Sequence, residues 1–127
     1  MSGDAIRIPT ADGREFGAYL AVPQAGSGPG IVLLHTAFGL DRHMRDIAAL
    51  YAEEGYVVIC PDLYWRIEPG LDLAQDEAGR QRMLALYRKF DHAAALDDIA
   101  RTVVHLAGDG GRYVTGTAIT VDGGFAA

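Results

Sequence analysis

Two short stretches, Ile31 to Leu34 and Tyr56 to Cys60, are unbroken apolar runs, and together they limit what this chain can fold into more than any other feature. A strand with one wet face alternates apolar and polar residues, so a run without alternation suits a strand buried on both faces of a parallel sheet. Between the two runs Met44, Ile47, Ala48, Leu50 and Tyr51 recur at helical spacing. Strand, helix and strand in succession make a βαβ unit with parallel strands. The spacing predicts a helix that begins after Asp41, whose carboxylate can cap the first amides, and ends at Gly55, the residue type expected just past a helix C-terminus.

The rest of the chain extends this unit. Ala5 to Ile8 and Glu15 to Val22 alternate around Ala11-Asp12-Gly13, which predicts an N-terminal hairpin turning at Asp-Gly. Pro61 to Asp72 reads as a loop leaving the carboxyl end of the second parallel strand, the edge where open α/β sheets hold their ligands. Helical periodicity returns over Gln75 to Phe90 and over Ala93 to Leu106, and Ala118 to Val121 reads as a last short strand. The expected fold is therefore α/β: a sheet flanked by helices, with a hairpin at its start and a strand at its end. The parallel members are the runs from Ile31, Tyr56 and Ala118.

The chain's 127 residues suit one domain over 1–127, and with half of them hydrophobic there is material for a core. A formal charge of −6 disfavours nucleic acid and anionic lipid as partners. Cys60 is the only cysteine, so neither an internal disulfide nor a cysteine-based metal cluster is available. Met1 to Thr10 has no basic or apolar signal region and no run approaches a membrane span, so the expected setting is the cytoplasm.

Several blocks, in order and with matching gaps, carry a resemblance. Pro29-Gly30-Ile31-Val32-Leu33-Leu34-His35, Phe38-Gly39-Leu40, Gly55-Tyr56-Val57-Val58-Ile59-Cys60-Pro61-Asp62-Leu63-Tyr64 and Phe90-Asp91 resemble the first half of the dienelactone hydrolase family. The likeness runs from about Ile6 to Asp98. It implies an α/β-hydrolase fold, here in truncated form, and descent from enzymes that open carboxylic-ester lactones with a Cys-His-Asp triad. From about Asp98 onward the chain resembles the end of short-chain dehydrogenases, on Val104-His105-Leu106-Ala107-Gly108-Asp109, Tyr113-Val114-Thr115-Gly116 and Val121-Asp122-Gly123-Gly124. That family's dinucleotide loop and its Tyr-x-x-x-Lys pair are absent, so no cofactor is implied. The expectation is a chimera, 1–98 from one family and 99–127 from the other.

An α/β-hydrolase nucleophile sits in Gly-x-Ser/Cys-x-Gly, because only small residues permit the strained elbow that exposes it. These residues contain no such motif, and no catalytic residue is assigned. Cys60, ending an apolar strand, reads as a buried structural thiol, and His35 as a side chain that satisfies a loop carbonyl. By the resemblance, Thr36 stands where the family carries a glutamate, and Ala37 would give its backbone amide to an oxyanion. Arg80 aligns with the arginine that grips the substrate carboxylate. A solvated helix face with an Asp76–Arg80 pair explains Arg80 equally well. Trp65 and Arg66 either line a pocket or cover the sheet edge. His43, His92 and His105 have no metal-ligand spacing and read as surface residues. The expected partners are a small carboxylate-bearing molecule and a second copy of the chain, the latter through apolar strands left uncovered and through Val103, Leu106, Ile119 and Val121.

Overall fold

The computed structural model describes residues 3–108 and, for the backbone, 114–121. The hairpin forms as its pattern predicts: β1 (Asp4–Pro9) runs antiparallel to β2 (Glu15–Ala21), with Ile8 opposite Phe16. Gly13 takes the left-handed φ of 86° that the Asp-Gly step offers the turn, and the Thr10 amide donates to the Arg14 carbonyl across it.

The βαβ unit follows as β3 (Gly28–Val32), α1 (Arg42–Glu53) and β4 (Val57–Pro61), with β3 and β4 parallel. Asp41 caps α1 by accepting from the Met44 amide at 3.0 Å, and Gly55 leaves the helix at φ 100°. α2 (Glu77–Lys89) and α3 (His92–Ala107) come next, capped by Asp76 and Asp91, which accept from Gly79 and Ala94. β5 (Val114–Val121) pairs parallel to β3, completing a mixed sheet in the order β1-β2-β4-β3-β5. The expected run Ile31 to Leu34 holds only the last two residues of β3 and overshoots its end at Val32. That strand begins three residues earlier because Gly28 pairs with Val114, a partner far along the sequence that a local pattern cannot register. A Cβ on Gly28 would lie 2.0 Å from the Gly55 carbonyl oxygen, so glycine is what lets β3 begin against the α1–β4 turn.

All five residues of β4 are buried, and they alternate between two cores. Val57 and Ile59 point to the side where Ile8, Phe16, Val32, Trp65 and Leu106 pack. Val58 and Cys60 point to the α1 side, against Met44, Ala48 and Ala52. α1 and α3 thus cover opposite faces, which corrects the expectation that the apolar strands are left open. Leu106, a candidate for self-association, is 2% exposed and belongs to the core. Of the residues that carry the short-chain-dehydrogenase likeness, Asp109, Tyr113, Asp122, Gly123 and Gly124 lie outside the described ones. α2 touches neither core. It packs Met83, Leu86 and the following Phe90 against Phe38, Tyr64, Leu71 and Leu73 beyond the carboxyl end of the sheet. No helix among the described residues is long and apolar enough to cross a membrane.

This layering makes β4 the most sensitive element. Ile59→Val should cost about 0.5–1.5 kcal/mol, whereas Leu84→Ala, on the outer side of α2, should stay within about 0.5 kcal/mol. Urea unfolding midpoints at unchanged slope measure both, and equal losses at the two positions would contradict the two-sided burial of β4.

Candidate active site

The loops that leave β3 and β4 at their carboxyl ends are fastened to each other by side chains. His35, three residues past β3, accepts from the Leu63 amide through Nε2 at 2.8 Å, and its Nδ1 lies 2.7 Å from the Thr36 carbonyl oxygen. One nitrogen accepting and the other facing a carbonyl fixes the neutral, Nδ1-protonated tautomer. Burial holds His35 below the ordinary imidazole value, against an opposite pull from the Thr36 carbonyl and the Asp62 and Asp41 carboxylates. Tyr64 adds a second tie by donating to the Ala37 carbonyl oxygen at 2.7 Å, and the Leu73 amide a third by donating to the Phe38 carbonyl. Gly39, at φ 92° and bridged to Asp72, lets the chain pass where a Cβ would meet the Leu71 carbonyl oxygen at 2.7 Å.

Asp62, 4% exposed, shapes the β4 loop from within. One of its oxygens accepts from the Tyr64 amide at 3.1 Å and the other from the Gly70 amide at 2.9 Å. An aspartate that turns its own loop in this way carries no sequence motif beyond its place after a strand, and the sequence reading did not single it out.

The tied loops frame a cavity of about 350 Å³. Leu34, His35, Thr36 and Ala37 form one wall, Leu63 and Tyr64 a second, and Tyr87, Phe90 and His92, from the end of α2 and the start of α3, a third. The rings pack edge to face, with centroids 5.5 Å apart for Tyr64–Phe90, 4.9 Å for Phe90–His92 and 6.0 Å for Tyr87–His92. Among the described residues no acceptor engages the Ala37 amide, whereas the Thr36 hydroxyl accepts from the Phe38 amide at 3.3 Å. Thr36 and Ala37 are therefore brought together at one cavity, and His92, Tyr87 and Tyr64 join them without having been identified by spacing.

Arg80 is not among the residues lining this cavity. Its side chain is 65% exposed and its Nη1 lies 3.9 Å from Glu77, because Asp76, its anticipated partner, is engaged as the α2 cap. Cys60 is fully buried in the α1-side core, where burial pushes its thiol well above the ordinary range, so it is not a ready nucleophile. Trp65 belongs to the α3-side core, stacked on Phe16 at 5.7 Å and flanked by the guanidinium groups of Arg14 and Arg66. Asp98, 1% exposed, accepts from the Trp65 ring N–H at 3.0 Å and from Arg66 at 2.6 Å, and burial raises its pKa despite these donors. No group of three or more His, Cys, Asp or Glu side chains among the described residues is arranged to hold a metal ion.

The His35 tie predicts a pH signature. Its folded pKa lies below the unfolded value, near 6.5, so the unfolded chain binds a proton that the folded chain refuses. Its contribution is therefore intact above about pH 6.5 and lost as pH falls further. His35→Gln should be less stable by about 1 kcal/mol at pH 8 through loss of the Nδ1–H donor, and the gap to the natural chain should shrink at pH 5. Stability curves that stay parallel from pH 8 to pH 5 would show that His35 titrates alike in both states.

Residues 16–120 match the dienelactone hydrolase family, a span that begins inside the hairpin and continues past Asp98 through most of β5. The chain is 36% identical over 121 residues to the carboxymethylenebutenolidase of Pseudomonas sp. strain P51, covering 91% of this chain and 51% of that protein. It is 36% identical over 101 residues to carboxymethylenebutenolidase 1 of Cupriavidus pinatubonensis, covering 79% and 43%. Among solved structures, a Klebsiella pneumoniae protein assigned as a dienelactone hydrolase superposes with a TM-score of 0.67 at 25% identity, over 88% of this chain and 47% of that one. The dienelactone hydrolase-like promiscuous phosphotriesterase P91 shares the fold, with a TM-score of 0.62 at 18% identity, over 94% and 48%. The chain spans about half the length of these relatives or somewhat less. Sheet order, the cavity at its carboxyl edge and the family match over residues 16–120 converge: the chain belongs to the dienelactone hydrolase family.

Proposed function

We propose that these 127 residues form the substrate-cradling side of a carboxylic-ester or lactone hydrolase site, and that on their own they bind an ester without turning it over. The observation that carries this reading is the cavity at the carboxyl ends of β3 and β4, with the Ala37 amide unengaged at its wall. An unengaged amide beside a largely apolar cavity suits an oxyanion that develops on an ester carbonyl, since a donor already in place needs no reorganisation. The Thr36 side chain holds the turn that presents this amide, and the ring wall takes the acyl portion.

Arg80 serves a carboxylate at the rim in this scheme. It stands seven residues before Tyr87 on the same stripe of α2, about 10 Å along the axis, and its long 3.9 Å pairing with Glu77 holds it only weakly. Turnover needs more than a cradle. These residues contain no Gly-x-Ser/Cys-x-Gly elbow, Cys60 is sealed in the core, and His35 spends both nitrogens on the loops. Losing a nucleophile and its base typically lowers turnover on the order of a million-fold.

The test is hydrolysis of p-nitrophenyl acetate and of a dienelactone by the 127-residue chain, with Cys60→Ala and Arg80→Gln as companions. The expected result is turnover at the uncatalysed background for every form, with binding of the carboxylate-bearing lactone weakened severalfold by Arg80→Gln. Turnover well above background that Cys60→Ala abolishes would overturn the proposal and make Cys60 a nucleophile. Complete absence of ligand binding would leave a non-enzymatic interaction module as the better reading.

A further inference from the structure

Helix α3 buries Ala95, Asp98, Thr102 and Leu106 against the sheet, and its outward side is as apolar as its inward one. From Ala93 to Ala107 every exposed position except Asp97 carries an apolar side chain: Ala93, Leu96, Ala100, Val104 and Ala107. Leu96 is 67% exposed and Val104 63%. At 100° per residue all five lie within about 40° of Ala100, forming a straight stripe about 21 Å long. A helix that only faces water carries polar residues there.

The stripe reads the same in both directions. Counting from Ala100, the positions are −7, −4, 0, +4 and +7, occupied by small, large, small, large and small side chains. A symmetric dimer contact must be self-complementary, with each patch meeting its own copy. We propose that α3 is a homodimerisation helix that packs antiparallel on α3 of a second copy, with the twofold axis passing at Ala100. Leu96 then lies beside Val104 of the partner subunit, Ala93 beside Ala107 of the partner subunit, and the two Ala100 residues meet where small side chains allow the helices closest approach.

Charge selects the antiparallel arrangement. Asp97 and then Arg101 and His105 flank one edge of the stripe, acid toward the N-terminal half and base toward the C-terminal half. The twofold sets Asp97 between Arg101 and His105 of the partner subunit, whereas a parallel pairing would set this charged edge against the apolar edge of the other helix and leave its charges without partners. Among the described residues no carboxylate lies within 4 Å of Arg101 in the single chain, so it is available for that contact. The opposite edge carries Ile99 and Val103, half-buried and apolar, which extends the contact toward the core.

Cysteine cross-linking with sedimentation velocity tests the arrangement on the 127-residue chain. Cys60 is fully buried, so the natural chain is the blank. Ala100→Cys, on the axis, should form a disulfide-linked dimer on mild oxidation. Ala93→Cys should not, because an antiparallel pair sets the two copies of that position about 21 Å apart along the helices. The natural chain should show a concentration-dependent dimer that Leu96→Glu and Val104→Glu each weaken by about tenfold or more, with circular dichroism unchanged because both positions face outward. Asp97→Lys should weaken the dimer, and adding Arg101→Glu should restore it. A monomer at all concentrations up to a few hundred micromolar, a dimer indifferent to both Leu96→Glu and Val104→Glu, or cross-linking at Ala93→Cys equal to that at Ala100→Cys would overturn the proposal.

Discussion

Five consecutive buried residues in β4 impose the architecture on everything around them. A strand with no wet face needs a neighbour on each side and a cover on each face, and Val57 to Pro61 have all four in β2, β3, α1 and α3. Burying each Val or Ile side chain contributes roughly 1.5–3 kcal/mol, so no arrangement that wets one side of β4 competes. The alternation of its side chains then divides the interior. Val57 and Ile59 recruit Trp65 and Leu106, while Val58 and Cys60 recruit Met44 and Ala48. Cys60 takes its inert character chiefly from that burial, and the Asp62 and Asp41 carboxylates push its thiol the same way.

What β4 delivers at its end is the site. Once the strand is fixed, Asp62 turns the chain back through the Tyr64 and Gly70 amides, and the Leu63 amide and Tyr64 hydroxyl reach His35 and Ala37 on the β3 loop. The cavity wall is therefore made of ties between two loops, each giving a partner to a part-buried backbone group. His35 is the centre of these ties. A charged imidazole would lose the acceptor that Leu63 uses, so the loop geometry and the neutral state of His35 sustain each other.

Local chemistry decided which parts of this were legible in the sequence. Both ends of α1 could be placed, because Asp41 and Gly55 act within a few residues of themselves, and so could the hairpin turn at Asp12-Gly13. Residues 35–37 could be placed at the carboxyl edge of the sheet, because a residue just past a parallel strand has nowhere else to go. What depended on distant partners stayed hidden. β3 begins at Gly28 because of β5, and Asp76 caps α2 instead of pairing with Arg80. Trp65 belongs to the core because Asp98, thirty-three residues on, accepts its N–H. His92 and Tyr87 meet the cavity only because α2 and α3 are joined at Phe90 and Asp91 beside it, a juxtaposition with no periodic signature. The apolar outer stripe of α3 was in plain view as helical periodicity, but until the buried face was known nothing told the inward side from the outward one.

The central claim is that a neutral, doubly engaged His35 holds the two loops in the arrangement that makes the cavity. Nitrogen-15 NMR of the imidazole, read through its two- and three-bond proton couplings over pH 5 to 8, tests it most directly. The account predicts an Nδ1-protonated, Nε2-accepting ring that takes up its proton only below the ordinary imidazole value. An Nε2-protonated ring, or one that titrates near the ordinary value of about 6.5, would contradict it.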